Sequence, residues 1–260
     1  MMIILSCNIR CFGADDGPND WVHRKDFCIE LIASKSPDII CCQEVWAEQY
    51  ADLSESLVDF DCYGMVDEPV GNRPTNAIFY RREAFRRVSA SGYWLSKRPH
   101  VAGSKDWDSD CVRLANWVRL EEVTTGLEFR VVNTHLDYVG QTAREHQSAL
   151  IVEDAQAYPD DYPQLLTGDM NCDTGNLAIG NFRKGGWVDT YGQVHGPADP
   201  GPTYHGFIGP DFKSNIGKMD WIFMRGAVNA RHAEIIDDSR EGRFPSDHYF
   251  VSATVELTGG

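Results

Sequence analysis

The chain is short of positive charge. It has 24 Lys and Arg against 39 Asp and Glu, a net charge of −15 over 260 residues. A protein that coats nucleic acid neutralises phosphates with Lys and Arg, and this balance argues against one. It does not exclude an enzyme whose acidic site holds a divalent metal. Cysteine pairing is absent too. The eight cysteines (Cys7, Cys11, Cys28, Cys41, Cys42, Cys62, Cys111, Cys172) include no C-x-x-C spacing, and several lie in apolar runs, where a free thiol behaves as a small hydrophobe. That argues for a reducing compartment and against a disulfide framework. No apolar run approaches a membrane span. The opening "MMIILSCNIR" has a short apolar part and no basic lead, so it reads as a first strand rather than a targeting segment. A cytoplasmic protein is the expectation, and nothing calls for a protein partner. There is no fixed-period repeat, low-complexity tract or composition shift that would mark a linker. With 42% hydrophobic and 24% charged residues, a chain of this length buries about three quarters of its unfolded surface, and a single domain over 1–260 is expected.

What is present is a strand-and-helix alternation. Ile3–Cys7 is a strand ending at Asn8, and a Gly/Asp/Pro-rich loop follows. Asp20 is placed to cap a helix running to about Ser34, with Phe27, Cys28, Leu31 and Ile32 as its apolar stripe. "SPDIICCQEVW" then gives a strand at Ile39–Cys42 ending at Gln43-Glu44, which completes a βαβ unit. "NAIFYRR", "FRRVSASGYWLS", "ANWVRLEEV" and "GLEFRVVNTHLD" all read as strands, so the sheet has antiparallel members. A helix is expected around Gln141–Ala157, followed by strands in "PQLLTGDMNCD", "KMDWIFMRG" and the alternating close Tyr249–Leu257. The intervals 96–112 and 172–218 are rich in Gly, Pro, Asp and Asn and read as long loops.

The polar residues fall at strand ends. Asn8, Glu44, His135 with Asp137, and Asp169 with Asn171 stand at or just beyond the C-terminal end of a strand. Asp220 and Asp247-His248 stand at the start of one. Ligands of open α/β sheets collect beyond the carboxyl ends of strands, and an antiparallel strand begins at that same edge. All six segments can therefore meet in one cleft. Carboxylates with an Asn carbonyl are hard oxygen ligands that suit Mg²⁺ or Mn²⁺ better than Zn²⁺. Two histidines with carboxylate neighbours supply acid, base or charge stabilisation. Taken singly each piece has a plainer reading: Asn8 as a capping residue, "GDMN" as a tight turn, Glu44 as an N-cap or surface residue. Asp220 is harder to dismiss, since a carboxylate at the mouth of an apolar strand needs a partner.

"SCNIR", "CCQEVW", "NTHLD", "GDMN", "MDWIF" and "SDH" resemble, in order, the motifs of the endonuclease/exonuclease/phosphatase superfamily, which shares the deoxyribonuclease I fold. "GYWLS", "RLANW" and "TYHGF" are similar to a bacterial, nocturnin-like branch. The resemblance implies a four-layer α/β sandwich, two mixed sheets face to face with helices outside. It implies Glu44 as principal Mg²⁺ ligand, helped by Asn8 and Asp247, with Mn²⁺ as a substitute. Asp169 becomes the base or water-orienting carboxylate, Asn171 a phosphate contact, His248 a phosphate contact polarised by Asp220, and His135 the second phosphate-side histidine. Arg10, Asp137 and Arg113 are added as substrate-side candidates. Arg10 stands where some nuclease branches carry Asp, and Lys97, Arg98 and Arg113 form either a local basic patch or solvated loop charges. Trp94 is a core aromatic or a stacking platform.

The expected activity is Mg²⁺-dependent hydrolysis of a phosphoester, of phosphodiesterase or nuclease type. The alternative is a phosphomonoesterase acting on a small metabolite or lipid head group. A two-carboxylate glycosidase would leave His135, His248 and Asn171 without work. A catalytically silent interaction domain sits poorly with six intact motifs.

Overall fold

The computed structural model describes residues 1–65 and 76–258. Its strands are β1 (Met2–Asn8), β2 (Ile39–Gln43), β3 (Phe60–Tyr63), β4 (Ile78–Arg81), β5 (Phe85–Trp94), β6 (Leu114–Glu122), β7 (Glu128–His135), β8 (Gln164–Asp169), β9 (Val188–Asp189), β10 (Asp220–Arg225), β11 (Val228–Ile236) and β12 (Phe250–Leu257). The helices are α1 (Trp21–Ser34), α2 (Ala47–Ser56), α3 (Gln141–Gln156), α4 (Leu177–Lys184) and α5 (Thr190–His195). Two six-stranded mixed sheets result, ordered β11-β12-β1-β2-β4-β3 and β5-β6-β7-β8-β10-β9. Each holds one parallel pair, β1 with β2 and β7 with β8, because α1 and α3 carry the chain back across a face.

Alternation along the strands builds the layers. Ile4, Ile39, Ile78 and Val251 of the first sheet meet Val118, Val131, Leu165 and Ile222 of the second in a shared interior. Their neighbours point outward: Leu5, Ile40 and Phe79 pack on Cys28, Leu31 and Ile32 of α1, while Val132, Leu166 and Phe223 pack on Ile151 of α3 and Ile179 and Phe182 of α4. This is the four-layer sandwich that the motifs imply. Among the described residues no helix is long and apolar enough to cross a membrane.

Toward one end of the shared interior the contacts turn polar. Gln43 Nε2 donates to Asn133 Oδ1 at 2.7 Å and to Ser6 Oγ at 3.1 Å; Asn133 Nδ2 reaches Cys42 O and Ala77 O; Thr167 Oγ1 donates to the same Asn133 Oδ1 at 3.2 Å. These bonds join the two sheets just beneath the strand ends that carry the site.

Several local readings need correction. The interval 172–218 is not one loop: α4 packs Ala178, Ile179 and Phe182 inward behind an Asn176 cap, and α5 starts on Asp189, whose carboxylate accepts from the amides of Tyr191 and Gly192. α2, β3 and β11 had no counterpart in the sequence reading. Asp20 stands at the N-cap of α1, yet its Oδ1 accepts the Asp16 amide at 2.9 Å instead of a helix amide.

Candidate active site

Register alone brings the strand ends together. β1 and β2 run in parallel with Asn8 level with Gln43, so Glu44 follows at the same edge. β7 and β8 end with His135 beside Asp169, and antiparallel β10 opens with Asp220 on the other side of Asp169. β12 runs against β1 with Ser6 level with Val251, which leaves Asp247-His248 beside Asn8. Gly168 allows the closest approach, since a Cβ there would lie 2.2 Å from Thr134 O.

Three of the site residues are non-glycine residues in the left-handed region: Arg10 (φ 53°), Glu44 (φ 62°) and Asn171 (φ 49°). Such conformations cost about 1–3 kcal/mol each and persist only where surrounding contacts enforce them. Here the enforcing contacts are in view. The Arg10 amide donates to Asn8 Oδ1 at 3.0 Å, the Cys11 amide to Glu44 Oε2 at 3.0 Å, and the Asn171 amide to Asp169 Oδ1 at 2.8 Å.

Asn8 is the hub. Its Nδ2 donates to Glu44 Oε1 at 3.1 Å and Asp169 Oδ2 at 3.0 Å and lies 3.5 Å from His248 Nε2. On the far side of the imidazole, His248 Nδ1 is 2.9 Å from Asp220 Oδ2. Burial works against a charge on His248, but Asp220 and Asp169 outweigh it and hold its pKa well above the ordinary value. Asp169 is pushed up to about 7 by burial and by Asp220, against the opposing pull of His248, the Asn171 amide and Asn8. Glu44 behaves oppositely. Burial would raise it, yet the Asn8 amide, the charge of His248 and the Cys11 amide oppose that and hold it below the usual carboxylate range. Asp247 is raised by burial and by the charge of Glu44, despite His248. Ser246 Oγ donates to Asn8 O at 2.7 Å and anchors this strand entrance to β1.

The other histidine is neutral. Asn171 Nδ2 donates to Leu136 O at 3.0 Å, which orients the amide, and so the same nitrogen also donates to His135 Nε2 at 2.8 Å. Burial and then the nearby Arg113 lower the His135 pKa well below its usual value. Its proton therefore sits on Nδ1, a buried atom with no partner among the described residues.

Of the candidates, Asn8, Glu44, Asp169, Asn171, Asp220, Asp247, His135 and His248 meet in one cluster. The three substrate-side candidates fare differently. Arg10 is taken up by Asp16, at 2.9 and 3.0 Å, and lies 3.6 Å from Asp247. Asp137 is fully buried and spends both oxygens locally: Oδ2 accepts from Ser109 Oγ and the amides of Asp110 and Cys111, and Oδ1 from those of Val139 and Gly140. It ties two loops together. Arg113 lies near His135, and among the described residues its Nε has no partner. Arg98 sits beside Asp106, and Lys97 is solvated. Trp94 is half-buried.

The sequence reading assigned no role to Tyr204, whose ring meets that of His248 edge-on at 5.1 Å and whose backbone pairs with it. The signal was a short aromatic–Gly run inside what read as loop.

Asp169, Asp220 and His248 bring one ligand-capable atom each within 4.8 Å of one another, so a metal site is possible there. The donor chemistry also fits a hard cation on the other side. Asp247 is buried and Glu44 half-buried, and their charges oppose each other, with oxygen donors and no thiolate among the candidates.

A family model described as the endonuclease/exonuclease/phosphatase family matches residues 5–248. The chain belongs to that family. It is accordingly a phosphoester hydrolase. An endonuclease/exonuclease/phosphatase from Bacteroides vulgatus has a structure that superposes with a TM-score of 0.88 at 29% identity, covering 98% of each chain. A mannosyl-6-phosphatase from Bacteroides thetaiotaomicron gives 0.87 at 27% identity, covering 98% of this chain and all of that one. Nocturnin of Drosophila melanogaster is 27% identical over 91% of this chain, which spans only 42% of that protein's length.

Proposed function

We propose that the protein hydrolyses a phosphoester of a small molecule, using water as nucleophile and a divalent cation, Mg²⁺ or Mn²⁺, as cofactor. One observation carries this reading: an Asp–His–Asp chain (Asp220, His248, Asp169) lies against a separate, ionised Glu44, with Asn8 hydrogen-bonded to both halves. Asp169, held near neutrality, is matched to accept a proton from an attacking water. The Asn171 amide fixes the orientation of that carboxylate. His248, kept charged by Asp220, faces the negative charge that builds on the non-bridging oxygens. Arg113 adds a positive charge beside the neutral His135. Glu44 and Asp247, with Asn8, would hold the cation. His248 is a poor metal ligand while its Nδ1 is bonded to Asp220 and the ring is protonated. When bound, the cation supplies charge neutralisation at a phosphate oxygen.

Charge placement favours a small substrate. Polynucleotide binding rests on several free Lys and Arg along the strand. Here Arg10 and Lys218 are committed to carboxylates and Arg98 lies 3.8 Å from Asp106, while Arg113, beside His135, is a cation suited to one phosphate. The mannosyl-6-phosphatase likeness supports this reading, and the nocturnin likeness supports the nuclease reading that competes with it. The test is turnover of sugar phosphates, aryl phosphates, bis-aryl phosphodiesters and a single-stranded oligonucleotide, with Mg²⁺ and after chelation. We expect chelator-sensitive turnover of the small esters. Efficient cleavage of the oligonucleotide alone would transfer the conclusion to the nuclease reading, and activity that survives chelation would remove the metal from it.

A further inference from the structure

Arg24 lies on α1, outside every motif that marked the site, yet it is only 5% exposed. No carboxylate meets it among the described residues. Four of its N–H groups are instead spent on backbone carbonyls: Nε on Asn19 O at 2.8 Å, Nη1 on Ile9 O at 2.7 Å and Pro245 O at 2.8 Å, and Nη2 on Arg10 O at 2.8 Å. Other buried cations of the chain, Lys218, Arg130 and Arg225, each pair with an acid. Three of the four carbonyls Arg24 gathers belong to two separate pieces of the site, and the fourth, Asn19 O, lies just before α1. Ile9 and Arg10 directly follow Asn8, and Pro245 stands two residues before Asp247. The guanidinium also lies between the rings of Trp21 (5.0 Å) and Phe207 (5.6 Å), and Phe207 ends the short run that sets Tyr204 against His248.

We infer that Arg24 is a positioning residue: its guanidinium fork fixes the Asn8–Arg10 strand end against the Pro245–His248 strand entrance, and so sets Asn8 and Glu44 relative to Asp247 and His248. The geometry needs a planar fork. A single Nη1 spans the carbonyls of Ile9 and Pro245, which come from segments 236 positions apart in the chain. A lysine ammonium is a point donor on a flexible stem and cannot hold all four acceptors. Without the guanidinium, buried carbonyls lose their donors, and the left-handed turn at Arg10 loses one of the contacts that enforce it.

This rests on the phosphoester reading for its activity arm only. A cavity of about 570 Å³ lies elsewhere, but one of about 320 Å³ is lined by Arg24, His23, Phe27, Arg243 and Phe244, and it gives a small cation a route to the vacated position. The experiment compares Arg24→Ala and Arg24→Lys with the parent chain by turnover and by amide hydrogen exchange, with and without guanidinium at tens of millimolar. For Arg24→Ala, a misplacement of site groups of roughly 1 Å predicts a kcat loss of about 100-fold, with KM changed little. Exchange protection should fall at residues 9–12 and 245–249 while β7, β8 and α3 keep theirs. Guanidinium, but not ammonium, should restore both quantities, and Arg24→Lys should remain impaired. Retention of near-parent kcat and local protection in Arg24→Ala overturns the inference. So does a loss, in a folded variant, that extends equally to β7, β8 and α3, or a loss that guanidinium fails to repair. Should Arg24→Ala not fold, Arg24→Lys alone decides: near-parent turnover and protection overturn the role. If the parent chain turns over no phosphoester, the exchange arm still decides on Arg24, and the functional reading fails by itself.

Discussion

His135 and His248 share a carboxylate and differ in almost everything else. Their Nε2 atoms lie 3.4 Å and 3.7 Å from Asp169 Oδ2. Both are buried. Yet one is held neutral and the other charged, because of what lies beyond each ring: Arg113 and an Asn171 amide donor for His135, Asp220 for His248. Burial is common to the two and opposes charge in both. Proximity to an acid is therefore a poor guide to an imidazole's state; the second neighbour decides it. The division gives one cleft a cationic wall and a neutral wall without importing a second kind of residue.

The sharpest way to break the comparison is to remove a shared or charged member. Asp169→Ala and His248→Ala should each lower kcat by about 10³-fold or more, the scale of losing a base or a transition-state charge donor. Either variant with near-parent turnover and native circular dichroism would strip that residue of its role. Asp220→Asn is next. It keeps the hydrogen bond but not the charge, and kcat should fall by about 10²–10⁴-fold, as for the orienting acid of other His-centred sites. The sign is fixed: without Asp220 the imidazolium releases its proton at lower pH, so the alkaline limb of the rate profile should move down. A limb that stays put would mean that another group sets it.

On the neutral wall the effects should be smaller. Arg113→Met removes one charged contact to substrate, worth about 1.5–3 kcal/mol, and should appear as a KM increase of about 10–100-fold with kcat less changed. An effect confined to kcat would place Arg113 outside substrate binding. The smallest effect concerns stability. His135 is depressed in the folded chain, so its contribution is complete above its ordinary value of 6.5 and is lost as pH falls below it. His248 is raised, so its contribution is complete below 6.5 and is lost as pH rises through the folded value. His135→Asn should flatten the acid side of a Tm-versus-pH curve by a few degrees, at about 2–4 °C per kcal/mol for a chain of this size, and leave the alkaline side alone. An unchanged acid side would show that His135 is not held neutral.

Most of the site was legible because its residues sit where an apolar run stops. Asn8, Glu44, Asp169 and Asp220 interrupt strand patterns, and parallel and antiparallel register then carries them to one edge. Arg24 was invisible for the opposite reason: on a helix an arginine four residues before Cys28 looks like a solvated face, and its carbonyl partners leave no trace in side-chain types. Asp137 carried the right residue type at the right place, but five local donors claim it, and their convergence depends on loop geometry. The interval 172–218 was misread because Gly, Pro and Asn dominate it. The stripe Ala178, Ile179 and Phe182 behind Asn176 was readable, whereas six-residue α5 is too short for periodicity to register.

The polar layer of Ser6, Gln43, Asn133 and Thr167 gives the cleft a floor of fixed width. Two sheets joined only by aliphatic side chains can shift past one another by small steps as substitutions accumulate; sheets pinned by directional bonds cannot without stranding buried amides. A new substrate must therefore be accommodated by the walls. Length and chemistry can change instead in exposed stretches such as 100–102 and 213–216, while the distances among the reacting groups stay set from below.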